Sequence, residues 1–332
     1  MNNPYPLKRS LGSFICICSF VSIVILNAIF ASHAHAFAVS ADASSYHHVT
    51  KAFLFDRSGD YEQARREYQM ALRADPFAWN IRYNLALVLL RLNDFKGAER
   101  EFLRLVKERP YDEKSRYFLA LVYSFNEQYA KAINQYRALL ERPLLEFSTH
   151  QIHSSLGYLY LAKGDLAKAQ AEYIQVVGTY PNSSEAHFYL GFIHSEFSNY
   201  NLAIEEFSKA IEFDENNAAA LNSLSYLYAE RGEKLDEAFT LVTRALRLEP
   251  SNGAYLDTLG WVYFKKGDLE NAKRHLENAS VLVEDPEILD HLGDLYLALG
   301  KTEEAKKSWQ KALRLDPERK TIKQKIKELP RK

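Results

Sequence analysis

The chain has 332 residues, 47% of them hydrophobic and 26% charged, which is enough apolar material for one large folded body or two domains and excludes a disordered chain. Its 42 basic and 43 acidic residues leave a formal charge of −1, so no global field favours nucleic acid or an anionic membrane surface. The two cysteines, Cys16 and Cys18, both fall in an N-terminal apolar run, which excludes a disulfide framework, a structural zinc site or a catalytic cysteine from the remainder.

Residues 1–36 read as an export segment. Lys8 and Arg9 precede an apolar stretch over residues 11–31, and Ala34-His35-Ala36 has the A-x-A form that a signal peptidase needs. The stretch is longer than an ordinary signal and approaches the ~20 residues that span a bilayer. Two outcomes therefore stay open: cleavage after Ala36, or retention of residues 11–31 as a membrane anchor. On either, Lys8 and Arg9 stay on the cytoplasmic side, and the chain beyond them is exported, in the periplasm or facing the periplasm or exterior.

From residue 45 to 317 the chain repeats itself. Alanines recur at Ala64, Ala98, Ala132, Ala169, Ala203, Ala238, Ala272 and Ala305, with spacings of 34, 34, 37, 34, 35, 34 and 33. A period near 34 means stacked helical hairpins, here eight of them. Four residues after each alanine, on the same helical face, stands a large residue: Tyr68, Phe102, Tyr136, Tyr173, Phe207, Val242, Leu276 and Trp309. Pro76, Pro110, Pro143, Pro181, Pro250 and Pro317 each end a second helix, since proline cannot continue the backbone hydrogen bonds. Three extra residues around 144–147 and one beside Glu233 interrupt the period. Residues 318–332 then predict one more helix, with Ile322, Ile326 and Leu329 on one side, capping the last hairpin.

In three units a leucine followed by a small residue precedes an aromatic and then a glycine at the turn: Leu259-Gly260, Tyr263, Gly267 in the seventh, Leu156-Gly157, Tyr160, Gly164 in the fourth, Leu292-Gly293, Tyr296, Gly300 in the eighth. The chain resembles the tetratricopeptide-repeat family on these residues, over about 45–317, and in particular its exported bacterial members. The resemblance implies an all-α fold: a right-handed superhelical solenoid of about eight helical hairpins plus the C-terminal capping helix. It also implies that first helices line a concave surface where partner polypeptides lie. Carried over by register, one inward position holds Phe53, Leu87, Leu121, Tyr158, Phe192, Tyr226 and Trp261, and the turn before it Tyr83, Tyr117, Phe118, Phe188 and Tyr189. With Asn84, Asn222 and Ser223 as backbone-binding groups, these form an aromatic partner-binding groove. The lysine, asparagine and arginine clamp with which some members grip C-terminal carboxylates is absent, its positions being Val49, Phe53, Asn84, Lys114 and Phe118, and Asp257, Trp261 and His291 further on.

Chemistry finds little support. His150 and His153, with His187 and His194 on the next first helix, lack the cysteines or well-placed carboxylates of a zinc site, and no phosphate loop, nucleophile elbow or metalloprotease motif occurs. No catalytic residue, metal or cofactor is expected, and no nucleic-acid partner. The reading is a non-catalytic protein-protein interaction scaffold of the cell envelope, suited to assembly of a secretion, pilus or polysaccharide-export machine. A carbohydrate-binding envelope module, or the regulatory subunit of an envelope enzyme, is the alternative. Oligomeric state is open.

Overall fold

The computed structural model describes residues 43–329, so the export segment 1–36 with its apolar stretch 11–31 lies outside the described residues. Among the described residues there are seventeen α-helices and no strand. They divide into two compact units, 43–180 and 181–329. The N-terminal unit holds α1 (Ala43–Ser58), α2 (Tyr61–Ala74), α3 (Trp79–Arg91), α4 (Phe95–Glu108), α5 (Glu113–Phe125), α6 (Tyr129–Leu140), α7 (Thr149–Ala162) and α8 (Leu166–Thr179). The C-terminal unit holds α9 (Ser184–Glu196), α10 (Tyr200–Phe213), α11 (Ala218–Arg231), α12 (Leu235–Leu248), α13 (Gly253–Lys265), α14 (Leu269–Leu282), α15 (Pro286–Ala298), α16 (Thr302–Leu315) and α17 (Lys320–Glu328).

Odd-numbered helices up to α15 are the first helices of hairpins and even-numbered ones the second. Each second helix packs against its own partner and, within its unit, against the first helix of the next hairpin. First helices are therefore covered on several sides: α11 buries nine of its fourteen residues. Second helices bury one stripe, as α4 does with Gly97, Ala98, Phe102 and Leu105, and expose the rest. In the C-terminal unit first helices also meet directly, α11 against α13 and α13 against α15. The final helix α17 lies on α16 and puts Ile322 fully into the last core, with Ile326 and Leu329 beside it.

The hairpin closes where a small residue on the first helix faces the large residue of the second. A Cβ built on Gly157 would lie 2.8 Å from the Tyr173 ring, on Gly191 2.7 Å from Phe207, and on Gly260 2.7 Å from Leu276. Repeats one to three place Ala52, Ala86 and Ala120 at the equivalent position opposite Tyr68, Phe102 and Tyr136, all of them buried. Repeat six trades volume both ways, with Ser225 against Val242, and satisfies the buried hydroxyl through the Ala238 carbonyl at 2.7 Å.

The turn inside each hairpin needs one left-handed residue. Gly59, Gly164, Gly232, Gly267 and Gly300 take it with φ between 66° and 82°, whereas Asn93, Glu127 and Ser198 take it with side chains at φ 57°, 56° and 60°. That conformation costs an ordinary L-residue about 1 kcal/mol. Glu127, exposed and lacking the αL tolerance of asparagine, is the strained case. Glu127→Gly is expected to raise stability by about 0.5–1 kcal/mol, measured by urea denaturation, part of the relief being offset by the freer unfolded chain.

Both irregularities of the period have a structural outlet. The extra residue beside Glu233 is absorbed by a second left-handed residue, Lys234 at φ 47°. The three extra residues lengthen the turn after α6, which the Glu113 carboxylate holds by accepting from the Leu145 and Glu146 backbone N–H groups at 2.9 Å each. Phe147 then folds back onto Tyr117, ring centroids 4.2 Å apart and nearly parallel.

Candidate functional site

A polar rung crosses each of the first five hairpins between residues nineteen apart. His48 meets Glu67 at 2.6 Å, Arg82 meets Glu101 at 2.7 Å, Arg116 donates to Gln135 at 2.9 Å, His153 meets Glu172 at 2.7 Å and His187 meets Glu206 at 2.6 Å. Arg82 and Arg116 also donate to the Pro76 and Pro110 carbonyls at 2.6 Å, and His187 Nε2 lies 2.9 Å from that of Pro181. One side chain thus ties its hairpin to the turn that precedes it. His153 and His187, weighed above as metal ligands, are committed to these rungs. Among the described residues no group of three or more His, Cys, Asp or Glu is placed to hold a metal ion.

In repeat six the equivalent positions hold Leu221 and Leu241, both buried. The protein thereby supplies its own apolar version of the rung. Arg82→Ala, which leaves Glu101 without its partner at a site where Arg82 is 5% exposed, is expected to cost about 3 kcal/mol. Arg82→Leu combined with Glu101→Leu is expected to be close to neutral, since replacing both partners removes the uncompensated charge. Urea denaturation of the two variants separates these outcomes.

The groove residues of the N-terminal unit form an aromatic cluster. Phe118 is buried, stacked on Phe102 at 5.7 Å and met edgewise by Tyr83 at 6.0 Å. Tyr117, half-buried, lies between Phe147 and the edge of Tyr136. Phe53, Asn84 and Tyr158 are half-buried on their helices. Lys114, at a clamp-equivalent position, pairs with Glu146 at 3.2 Å.

In the C-terminal unit Phe188, Tyr189 and Phe192 of α9 are buried, so these rings belong mostly to the packing of the stack. Asn222 and Trp261 are buried as well, and Tyr226 is half-buried. What the register placed as a row of separate rings is a polar-aromatic cluster joining three first helices. The Tyr226 hydroxyl of α11 donates to Glu287 of α15, and the Trp261 indole N–H of α13 donates back to Glu230 of α11. His291 Nδ1 of α15 lies 2.9 and 3.0 Å from the two carboxylate oxygens of Asp257 on α13. Trp261 is stacked with Phe264 at 4.8 Å and with His291 at 4.1 Å. Lys265 stands 4.7 Å from the same ring.

The electrostatics follow from this geometry. Burial alone would lower the His291 pKa, but the Asp257 carboxylate beside it, with Glu287 and Glu230 behind, holds it at about 9. Burial pushes the Glu287 carboxyl above the usual range, against the pull of His291 and the Tyr226 hydroxyl. Burial, reinforced by the Glu287 and Glu230 charges, pushes the Tyr226 phenol well above its ordinary value. On the neighbouring side Lys325 of α17 bridges Asp290 and Asp294 of α15, 2.7 Å from each.

Sequence reasoning named Tyr226, Asn222 and Trp261 but not Glu230 or Glu287, and met Asp257 and His291 only as positions lacking a clamp. The signal was present: Glu230 follows Tyr226 by four residues, Asp257 precedes Trp261 by four, and Glu287 precedes His291 by four. An acid one turn from a ring recurs on three successive first helices.

Sequence profiles described as tetratricopeptide repeat match residues 50–113 and 154–218, 113–143 and 254–280, and 286–319, together more than half of the chain. No curated protein matches the chain. Among solved structures it is similar to the APC/C hetero-tetramer Cut9–Hcn1, at 15% identity over 82% of this chain and 53% of that one, with a TM-score of 0.61. It is also similar to the C-terminal part of a repeat-containing protein from Cytophaga hutchinsonii, at 17% identity over 73% of this chain and 98% of that one, TM-score 0.52. Pseudomonas aeruginosa pilF is similar at 15% identity over 65% of this chain and 96% of that one, TM-score 0.52. At these identities the structural likeness is one of fold. Proteins built from such repeats serve as scaffolds for protein or peptide partners and are generally not catalysts. On the profile matches and the stacked hairpins together, the chain belongs to the tetratricopeptide-repeat family.

Proposed function

We propose that this protein is a non-catalytic scaffold of the cell envelope that holds partner polypeptides along the inward stripes of its first helices, in support of assembling a larger export, pilus or polysaccharide-secretion machine. The observation that carries the reading is the half-buried set on those stripes: Phe53, Tyr83, Asn84, Tyr117 and Tyr158 in one unit, Tyr226 with its carboxylate neighbours in the other. Ring edges and carboxamides of this kind suit a polypeptide, giving contact area at low entropic cost together with backbone hydrogen bonds. Placement in the envelope rests on Lys8, Arg9, the apolar stretch 11–31 and Ala34-His35-Ala36.

The carbohydrate-binding alternative is weakened by one contact pair. A sugar ring stacks on an open aromatic face, and Trp261 is buried and already stacked with Phe264 and His291. The test is crosslinking in the native cell from a photoreactive residue at Tyr158 or Tyr226. Capture of one defined envelope protein is the expected result. Adducts of glycan alone, or none, would count against the scaffold.

A further inference from the structure

The three-helix cluster of the C-terminal unit carries more charge than it neutralises internally. Glu230 and Glu287 are hydrogen-bonded to an indole N–H and a phenol, which are donors without charge. Asp257 is paired with His291. The cations of the surrounding elements are few or already engaged. Lys265 lies against the Trp261 ring, Lys325 is held by Asp290 and Asp294, and Arg319 of the cap lies 3.7 Å from Asp316. Glu230, Asp257 and Glu287 therefore outnumber the cations set against them, which are His291, Lys265 and, acting on Glu287, Arg319.

A second and independent feature lies on the same stripe. Asn222, Tyr226 and Glu230 succeed one another at four-residue intervals and so share one face of α11. Asn222 is 9% exposed, and its side-chain carbonyl oxygen is buried with no hydrogen-bond partner. A buried acceptor left unsatisfied in a folded chain is costly, and an N–H donor brought by a partner would remove that cost.

We propose that the stripe formed by Asn222, Tyr226, Glu230, Asp257, Trp261 and Glu287 receives a cationic side chain, lysine or arginine, from the bound polypeptide. This rests on the scaffold reading above and gives it a partner chemistry. A guanidinium or ammonium group supplies several N–H donors and the missing positive charge together, and its aliphatic stem suits the Tyr226 and Trp261 edges. The carboxyl of Glu287, raised by burial, would be drawn back toward its ordinary range by such a guest.

The experiment uses the full chain and labelled nona-arginine, nona-lysine and nona-glutamate peptides, read by fluorescence anisotropy. The basic peptides are expected to bind and the acidic one not. Glu230→Gln with Glu287→Gln is expected to weaken basic-peptide binding at least tenfold, whereas Glu205→Gln, an exposed acid of α10 outside the stripe, leaves it within twofold. Lys265→Gln, which removes the competing local cation without touching the buried network, is expected to tighten it severalfold. Equal binding of nona-glutamate, an unchanged Kd in the double variant, or no tightening in Lys265→Gln would each overturn the inference. If crosslinking from Tyr226 still captures a partner whose yield ignores Glu230→Gln with Glu287→Gln, the scaffold stands and the cationic contact falls. If the wild-type chain captures nothing, the scaffold itself falls.

Discussion

Replacing Trp309 with alanine is expected to destabilise the last hairpin by about 3–5 kcal/mol, the range for removing a fully buried large aromatic. The ring is 0% exposed and lies in a core with Leu292, Leu295, Ala312 and Ile322, and its indole N–H donates to the Asp290 carbonyl at 3.3 Å. The same ring underlies α17, whose Ile322 is fully buried beside it and whose Lys325 sits 5.8 Å from its centroid. In a repeat array stability is propagated between neighbours, so loss of the last core also loosens the cap. Native-state hydrogen exchange should show protection falling first in α15, α16 and α17. Unchanged protection there would refute the assignment of this ring as the anchor of the cap.

The partner of that ring sharpens the test. A Cβ on Gly293 would run into the Trp309 indole at Nε1. Gly293→Ala is accordingly expected to cost about 1–3 kcal/mol by overpacking. In a Trp309→Val background, which imitates the Ser225 and Val242 pairing of repeat six, the same substitution should cost less than about 0.5 kcal/mol. The difference is a coupling energy that only contact between the two positions produces. Repeats one to three show that alanine is compatible with Tyr or Phe when the hairpin is built around it, so the cost at Gly293 arises from the local approach of α15 and α16.

The second large effect is a pH dependence. His291 is 5% exposed, with Asp257 of α13, Glu230 and Tyr226 of α11, Trp261 of α13 and its own-helix Glu287 around it. Its folded pKa of about 9 lies above the ordinary 6.5, so the folded state binds this proton more tightly than the unfolded chain does. The resulting stability is fully present below about pH 6.5 and is lost as pH rises through 9. A shift of that size corresponds to about 3 kcal/mol. Urea midpoints should therefore fall between pH 6.5 and 9 in the wild type. His291→Leu should be less stable at pH 6, because Asp257 is left unpaired, and nearly flat across the same window. A wild-type midpoint that does not move would show that His291 is not held protonated by this cluster.

The sequence by itself determined the number of hairpins, the second-helix ends that proline marks and the large residue four places after each second-helix alanine. Alanine spacing, turn glycines and helix-ending prolines are local signals, each acting within a turn or two of the residue that carries it. The amphipathic stripe of each second helix was legible for the same reason. Which first-helix rings stay half-buried was decided only by the tertiary structure. Phe188 shares its repeat position with Tyr83, and Phe192 and Trp261 share theirs with Tyr158, yet they are buried because neighbouring helices close over them. The polar rungs join residues nineteen apart, and the cluster of Glu230, Asp257, Glu287 and His291 joins residues up to sixty-one apart. The rungs depend on how closely the two helices of a hairpin approach, and the cluster on how closely successive hairpins stack. Those distances are set by side-chain volumes summed over several helices, and no single segment of the chain encodes them.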